Sequence, residues 1–216
     1  MMNAMIWFHW RSCRAWIVAA AFAAGALPVV SVMQSWPRDP AQVPVLLGQL
    51  DAWGVFYPVL AAALGLSTAV IVWQADHRGR FVYALTLPVA RWRYVWFRFL
   101  AAAVWIGAVG VILWVSAVAS VAVLSLPPSL RTFPTALAAR FVLAALSVFA
   151  AGYCVTTLPA RIQRTLGRVV LALLVVQCGA LLLGLEADWL SPLASGLFGQ
   201  WGPFALLGGR WMLVDV

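Results

Sequence analysis

Asp76-His77-Arg78-Gly79-Arg80-Phe81-Val82-Tyr83-Ala84-Leu85-Thr86-Leu87-Pro88-Val89-Ala90-Arg91-Trp92-Arg93 is a charged interruption between two long apolar runs. It carries four arginines, one aspartate and one histidine in a chain where charged residues make up only 9% of the whole. A segment so charged belongs in water, which makes the apolar runs on either side of it separate crossings of a membrane. Pro88 disfavours helical backbone at Leu87, so the segment is expected to break into a short amphipathic helix over 79–86 and a new helix that Pro88 opens in its first turn. In the short helix Phe81, Ala84, Leu85 and Pro88 recur at helical spacing on one apolar face, with Arg78 and Arg80 toward its start. A helix of this kind, held between two spans, has the form of a handle for another protein.

Composition points the same way. Hydrophobic residues are 65% of the 216 and the mean hydropathy is +0.97, far from the values of soluble domains. All the basic residues are arginine, 14 against six acids, for a net charge of +8. They gather at the ends of apolar runs, so membrane orientation accounts for them before nucleic acid does, and no nucleic-acid partner is expected. Cys13, Cys154 and Cys178 lie far apart with no CxxC pair and no nearby His, and read as small packing residues. Neither a metal nor a cofactor is expected.

Working outward from the charged segment yields an all-α, polytopic membrane helix bundle forming one domain over 1–216. Residues 1–14 mix Trp7 and Trp10 with Arg11 and Arg14, which suits a helix lying at the cytoplasmic membrane surface, a disordered leader being the alternative. Residues 15–33 are 19 without a charge, about 28 Å as helix and enough to cross. Arg11 and Arg14 ahead of Ala24-Gly25-Ala26 also match a cleaved signal, but the run continues to Met33, which favours a retained first span. Pro37, Arg38, Asp39, Pro40, Pro44, Gln49 and Asp51 mark an external loop, with a short surface helix over 45–52. The second span covers 55–74, with Ser67 and Thr68 available for hydrogen bonds to other helices.

The third span covers 95–126. From Phe99 its charge-free part is 28 residues, about 42 Å, so it must tilt or project beyond the bilayer. Pro127, Pro128, Arg131 and Pro134 form a tight external turn, and a fourth span follows over 136–158. Arg161, Gln163, Arg164 and Arg168 then read as a short basic internal loop before a fifth span over 169–185, at the lower limit for crossing. The tail, 186–216, is broken by Pro192, Gly196, Gly199, Pro203, Gly208 and Gly209 and reads as a re-entrant or interfacial segment at the outer surface. Two readings of its end stay open: a chain that stops before a sixth crossing, or a genuine five-span protein.

Ten arginines (Arg11, Arg14, Arg78, Arg80, Arg91, Arg93, Arg98, Arg161, Arg164 and Arg168) fall on one side of this scheme, against Arg38, Arg131 and Arg210 on the other. The positive-inside rule therefore places the amino terminus, the loop 76–93 and the loop 161–168 in the cytoplasm of a cell bounded by this plasma membrane. Eleven of the 13 tryptophans lie near the expected interfaces as an anchoring belt. Trp105 and Trp114 fall inside the third span, where they either pack or line a pathway. Arg140 falls about one turn inside the fourth, where snorkelling to the outer surface is favoured over a role in the path of an anionic substrate. Ser67 and Thr68 complete the candidates for such a path.

No Asp, Glu or His lies within the five spans, and His9 and His77 belong to surface segments, so neither an intramembrane enzyme nor carboxylate-coupled transport is expected. No Gly-x-x-x-x-Gly-Lys-Ser/Thr motif is present either, so any ATP hydrolysis belongs to a partner.

Surface helix, span, external loop, span, then Asp76, Gly79, the run Ala84-Leu85-Thr86-Leu87-Pro88-Val89-Ala90-Arg91, an aromatic-basic stretch to Arg98 and a long third span: this order resembles the permease subunits of the ATP-binding-cassette type 2 family. The likeness is topological over most of the chain and at the level of motif over about twenty residues. It implies that the segment is a coupling helix docking into a groove on a separate ATPase subunit. The helix would run from Gly79 to Pro88, with Asp76 and His77 part of the same ATPase-coupling interface; Arg78, Arg80, Arg91 and Arg93 would pair with acids on the ATPase, and Phe81 and Leu85 would fill the groove. The chain would then be an exporter subunit working as a homodimer or with a related permease subunit in the lipid bilayer. Two features depart from the family pattern: Arg80 stands where a small hydroxyl residue is common, and a sixth span is missing. A membrane scaffold or assembly protein without a transport role is the competing class.

Overall fold

The structure, a computed structural model, describes residues 2–34, 52–78, 91–123, 131–182, 191–211 and 213–215. Its helices are α1 (Met2–Gln34), α2 (Phe56–Arg78), α3 (Arg91–Val123), α4 (Pro134–Thr157), α5 (Ala160–Leu182) and α6 (Ser191–Phe198). Two short strands, β1 (Arg131–Thr132) and β2 (Val214–Asp215), pair antiparallel with Arg131 opposite Asp215 and Thr132 opposite Val214. Four helical stretches, Met2–Gln34, Ala52–Gln74, Trp92–Val123 and Pro134–Thr157, are long and apolar enough to cross a membrane. The chain is thus an all-α bundle compatible with a multi-pass membrane protein.

One seam explains the length of α1. His9, Cys13, Ile17, Ala20, Ala24, Pro28 and Ser31 are buried and follow one another at intervals of three and four. On α3 the buried residues Arg98, Ala102, Ile106, Val109, Leu113, Ala117 and Ser120 repeat the same rhythm. The two stripes, of matching period, pack against each other. Contacts of Phe8 with Arg98, Trp10 with Trp105, and Gly25 with Ile112 show that the two helices run parallel. The separate surface helix expected over 1–14 is therefore the first turns of α1 itself: no Pro or Gly separates it from the span, and α3 binds both parts as one face.

The second pair is α2 and α4, also parallel. Tyr57, Ala61, Leu64, Thr68, Ala69 and Val72 of α2 are buried with Leu137, Phe141, Ala144, Ala145 and Phe149 of α4. Gly65 lies against Ala145, Val148 and Phe149, and Gly152 against Ala69 and Leu66, so small residues let the two backbones approach closely. The pairs meet where α3 runs antiparallel to α4, with Phe99 beside Phe149 at one end and Trp114 donating to Thr135 Oγ1 at the other. The start of α1, the end of α2, the start of α3 and the end of α4 consequently share one end of the bundle.

Residues 161–168 were expected as a loop, and are the first two turns of α5. Pro159 ends α4 and favours the start of a new helix, and Gln163 Nε2 donates to the carbonyls of Thr156 and Leu158, both at 2.8 Å, sealing the end of α4. Among the described residues α5 packs closely on none of the other helices. The tail follows α6 through successive turns over 199–209 and returns to the opposite end, where Phe133 N–H donates to the Leu213 carbonyl at 3.1 Å and Trp211 and Leu213 are buried. The external loop of 35–51 lies outside the described residues.

Candidate functional site: the arginine-rich end

At the shared end α2 stops at Arg78 and α3 resumes at Arg91. Gly79, Arg80, Phe81, Leu85 and Pro88 lie outside the described residues. Asp76, His77 and Arg78, expected in the loop, are the last residues of α2, and Arg91 is the first of α3. The helices reach further toward the connection than hydropathy suggested, because nothing between Ala75 and Arg78 breaks a helix. Arg93 is exposed, with its guanidinium 5.3 Å from the centre of the Trp92 ring. Arg11 stacks likewise on the exposed Trp7 at 5.4 Å.

Two basic residues turn out to be inside: His9, expected in a surface segment, and Arg98, expected at the inner end of the third span. His9 is 1% exposed and Arg98 2%. The His9 ring bonds through Nδ1 to the Met5 carbonyl at 3.2 Å. Arg98 lies 4.6 Å from the Phe8 ring centre, and its Nε and Nη2 groups donate to Tyr94 Oη at 3.1 and 2.8 Å. Tyr94, one turn before Arg98, was the local signal: a phenol at i−4 gives a guanidinium an acceptor within the same helix. Trp105 braces this corner, stacking on Trp10 at 4.7 Å and donating from Nε1 to the Ile6 carbonyl at 3.1 Å.

The candidates for a substrate path do not converge. Ser67 Oγ donates to the carbonyls of Ala63 and Leu64, and Thr68 Oγ1 to that of Leu64, so both hydroxyls bond within α2 and not to a neighbouring helix as expected. A hydroxyl bond that does join two helices comes from Ser116, which donates to the Gly25 carbonyl. Trp114 lines an open apolar groove of about 480 Å³ between α3 and α4, together with Gly107, Gly110, Ala138 and Val142; the other four candidates lie elsewhere.

Arg140 does not line that groove. Its Nε donates to the Leu206 carbonyl at 3.0 Å, Nη1 to that of Arg210 at 2.6 Å, and Nη2 to that of Gly208, while its plane sits 4.6 Å from the Trp211 ring. The residue clamps the tail to α4. Sequence spacing could not show this, because the acceptors are backbone carbonyls 66–70 residues away.

Comparison with known proteins finds no matching family model, no matching curated relative and no matching solved structure.

Proposed function

We propose that the chain is the membrane-spanning permease subunit of an ATP-binding-cassette exporter in the plasma membrane, with its amino terminus cytoplasmic. A separate ATPase drives it through the connection between α2 and α3, and a second permease copy or a related subunit completes the pathway. The observation that carries this reading is mechanical: the connection links one member of each tightly packed pair. A pull on it displaces α2 together with α4 and α3 together with α1, so the two pairs can rock against each other about the α3–α4 contact. At 33 residues, or about 50 Å, α3 exceeds the roughly 30 Å hydrocarbon core and can act as a lever projecting beyond it.

Five crossings belong to this reading. At 23 residues α5 is about 34 Å long, starts at the arginine-rich end, and is followed by a tail docked at the opposite end. A cysteine placed at Arg161 is expected to resist a membrane-impermeant thiol reagent in intact cells, while one at the fully exposed Trp201 reacts. Equal labelling of the two would remove the fifth crossing.

The direct test of coupling is Leu85→Asp, which puts a charge on the apolar face meant for the ATPase groove. It is expected to abolish co-purification with the ATPase subunit while membrane insertion stays intact; unchanged co-purification contradicts the proposal. The scaffold reading draws support from Ser67, Thr68, Trp105 and Arg140, whose polar groups all bond within the protein. It predicts no ATPase partner at all.

A further inference from the structure

Arg161, Arg164 and Arg168 stand at intervals of three and four residues on the first two turns of α5, within about 60° of one another around the helix. All three are exposed, α5 carries no acid, and none of their guanidinium groups has a partner among the described residues. Arg168 lies about 10 Å along the axis from Arg161, whereas the polar layer on each side of a bilayer is only about 5–8 Å deep. With the first arginine at the edge of water, the third reaches the hydrocarbon boundary, where an unpaired charge is costly. A phosphate answers that need, since guanidinium binds its oxygens in a forked, charge-assisted geometry.

The same end of the bundle supplies the surroundings such a contact requires. Arg11, Arg14 and Arg93 are also exposed there, with Trp7, Trp92 and Trp96, so the local field is positive and aromatic rings are available at headgroup level. At the opposite end Arg140 is occupied by carbonyls and only Arg131 and Arg210 are exposed among the described residues.

We propose that Arg161, Arg164 and Arg168 form a binding row for the phosphates of acidic phospholipids, holding at the membrane face a helix that packs closely on no other among the described residues. The inference rests on α5 entering the bilayer but not on an ATPase partner. Full-length protein in neutral detergent is titrated with phosphatidylglycerol and, separately, phosphatidylcholine, and bound lipid is counted by native mass spectrometry. Each juxtamembrane arginine contributes about fivefold in affinity for an anionic surface, so replacing all three with glutamine is expected to weaken phosphatidylglycerol binding on the order of a hundredfold at low salt. Phosphatidylcholine binding should stay unchanged, and Arg131→Gln at the other end should have no effect. The triple lysine variant, which keeps the charge, should retain most of the binding. Should the triple glutamine variant fail to fold, Arg168→Gln alone is expected to cost about fivefold. Equal phosphatidylglycerol affinity in wild type and variant overturns the proposal. So does a variant that keeps its lipid but loses the ATPase, because the row would then face an acidic protein surface. Loss of ATPase binding in Leu85→Asp with lipid binding intact leaves the row standing, so the two proposals fail separately.

Discussion

Replacing Arg140 with glutamine is expected to release the carboxyl-terminal segment from α4, at a cost of about 3 kcal/mol in stability. Three donors of one guanidinium hold the carbonyls of Leu206, Gly208 and Arg210, and the flat group also stacks on Trp211. Bonds from a charged donor each contribute about 1.5–3 kcal/mol and a cation over an indole about 0.5–2, though one side chain never realises the full sum. Glutamine is too short and lacks the fork, so it cannot hold the three carbonyls together. Lysine keeps the charge as a single point and should recover only part of the loss.

The clamp also depends on Gly209, whose φ of +72° turns the chain so that carbonyls on both sides of it face Arg140. A side chain there is strained whatever the space, and its Cβ would come 3.4 Å from Arg140 Nη2. Limited trypsin digestion reads the outcome, because Arg210 is exposed next to the buried Trp211. Arg140→Gln and Gly209→Ala should both hasten cleavage at Arg210 and lower the melting temperature; cleavage at the wild-type rate would show that β1, β2 and Trp211 hold the tail without the arginine.

Gly65→Leu is expected to part α2 from α4 and destabilise the bundle by at least about 3 kcal/mol. A Cβ at this position drives into the Ala145 carbonyl and comes within 2.9 Å of the Phe149 nitrogen, both backbone atoms of the facing helix. Backbone cannot rotate away as a side chain does, so the helices must separate along the seam that buries Leu64, Phe141 and Phe149. Gly107 is the control. A Cβ there meets nothing within 4 Å because it faces the open groove, and Gly107→Ala should leave stability unchanged or raise it by up to about 1 kcal/mol. Both substitutions raise helix propensity, so similar losses at the two positions would show that the α2–α4 approach does not set the effect.

Much of the architecture was open to reading along the chain. The apolar stretches around 15–33, 55–74, 95–126 and 136–158 each overlap a helix long and apolar enough to cross, because a membrane span is a local property: about twenty apolar residues satisfy their own backbone within one segment. Helix ends were less legible. Trp7, Arg11 and Arg14 have the composition of a surface helix, and only the stripe shared with α3 makes them part of a 33-residue helix. Arg161–Arg168 has the charge of a loop, but three arginines do not break a helix that Pro159 has started. Ser67 and Thr68 looked like links between helices, yet a hydroxyl in a helix finds its nearest acceptor one turn back, and no neighbour offered a better one.

Composition and the spacing of charge thus settled the helical class, the positions of the apolar stretches and the crowding of arginine toward one end, since each depends on residues within about one helix length. Folding in three dimensions chose the partners: α1 with α3 and α2 with α4, His9 and Arg98 inside, and Arg140 on the carbonyls of a segment near the end of the chain. Those choices turn on which small residues let two backbones approach and on which distant acceptors meet a donor that lipid cannot satisfy, and neither quantity is written in any single stretch of the chain.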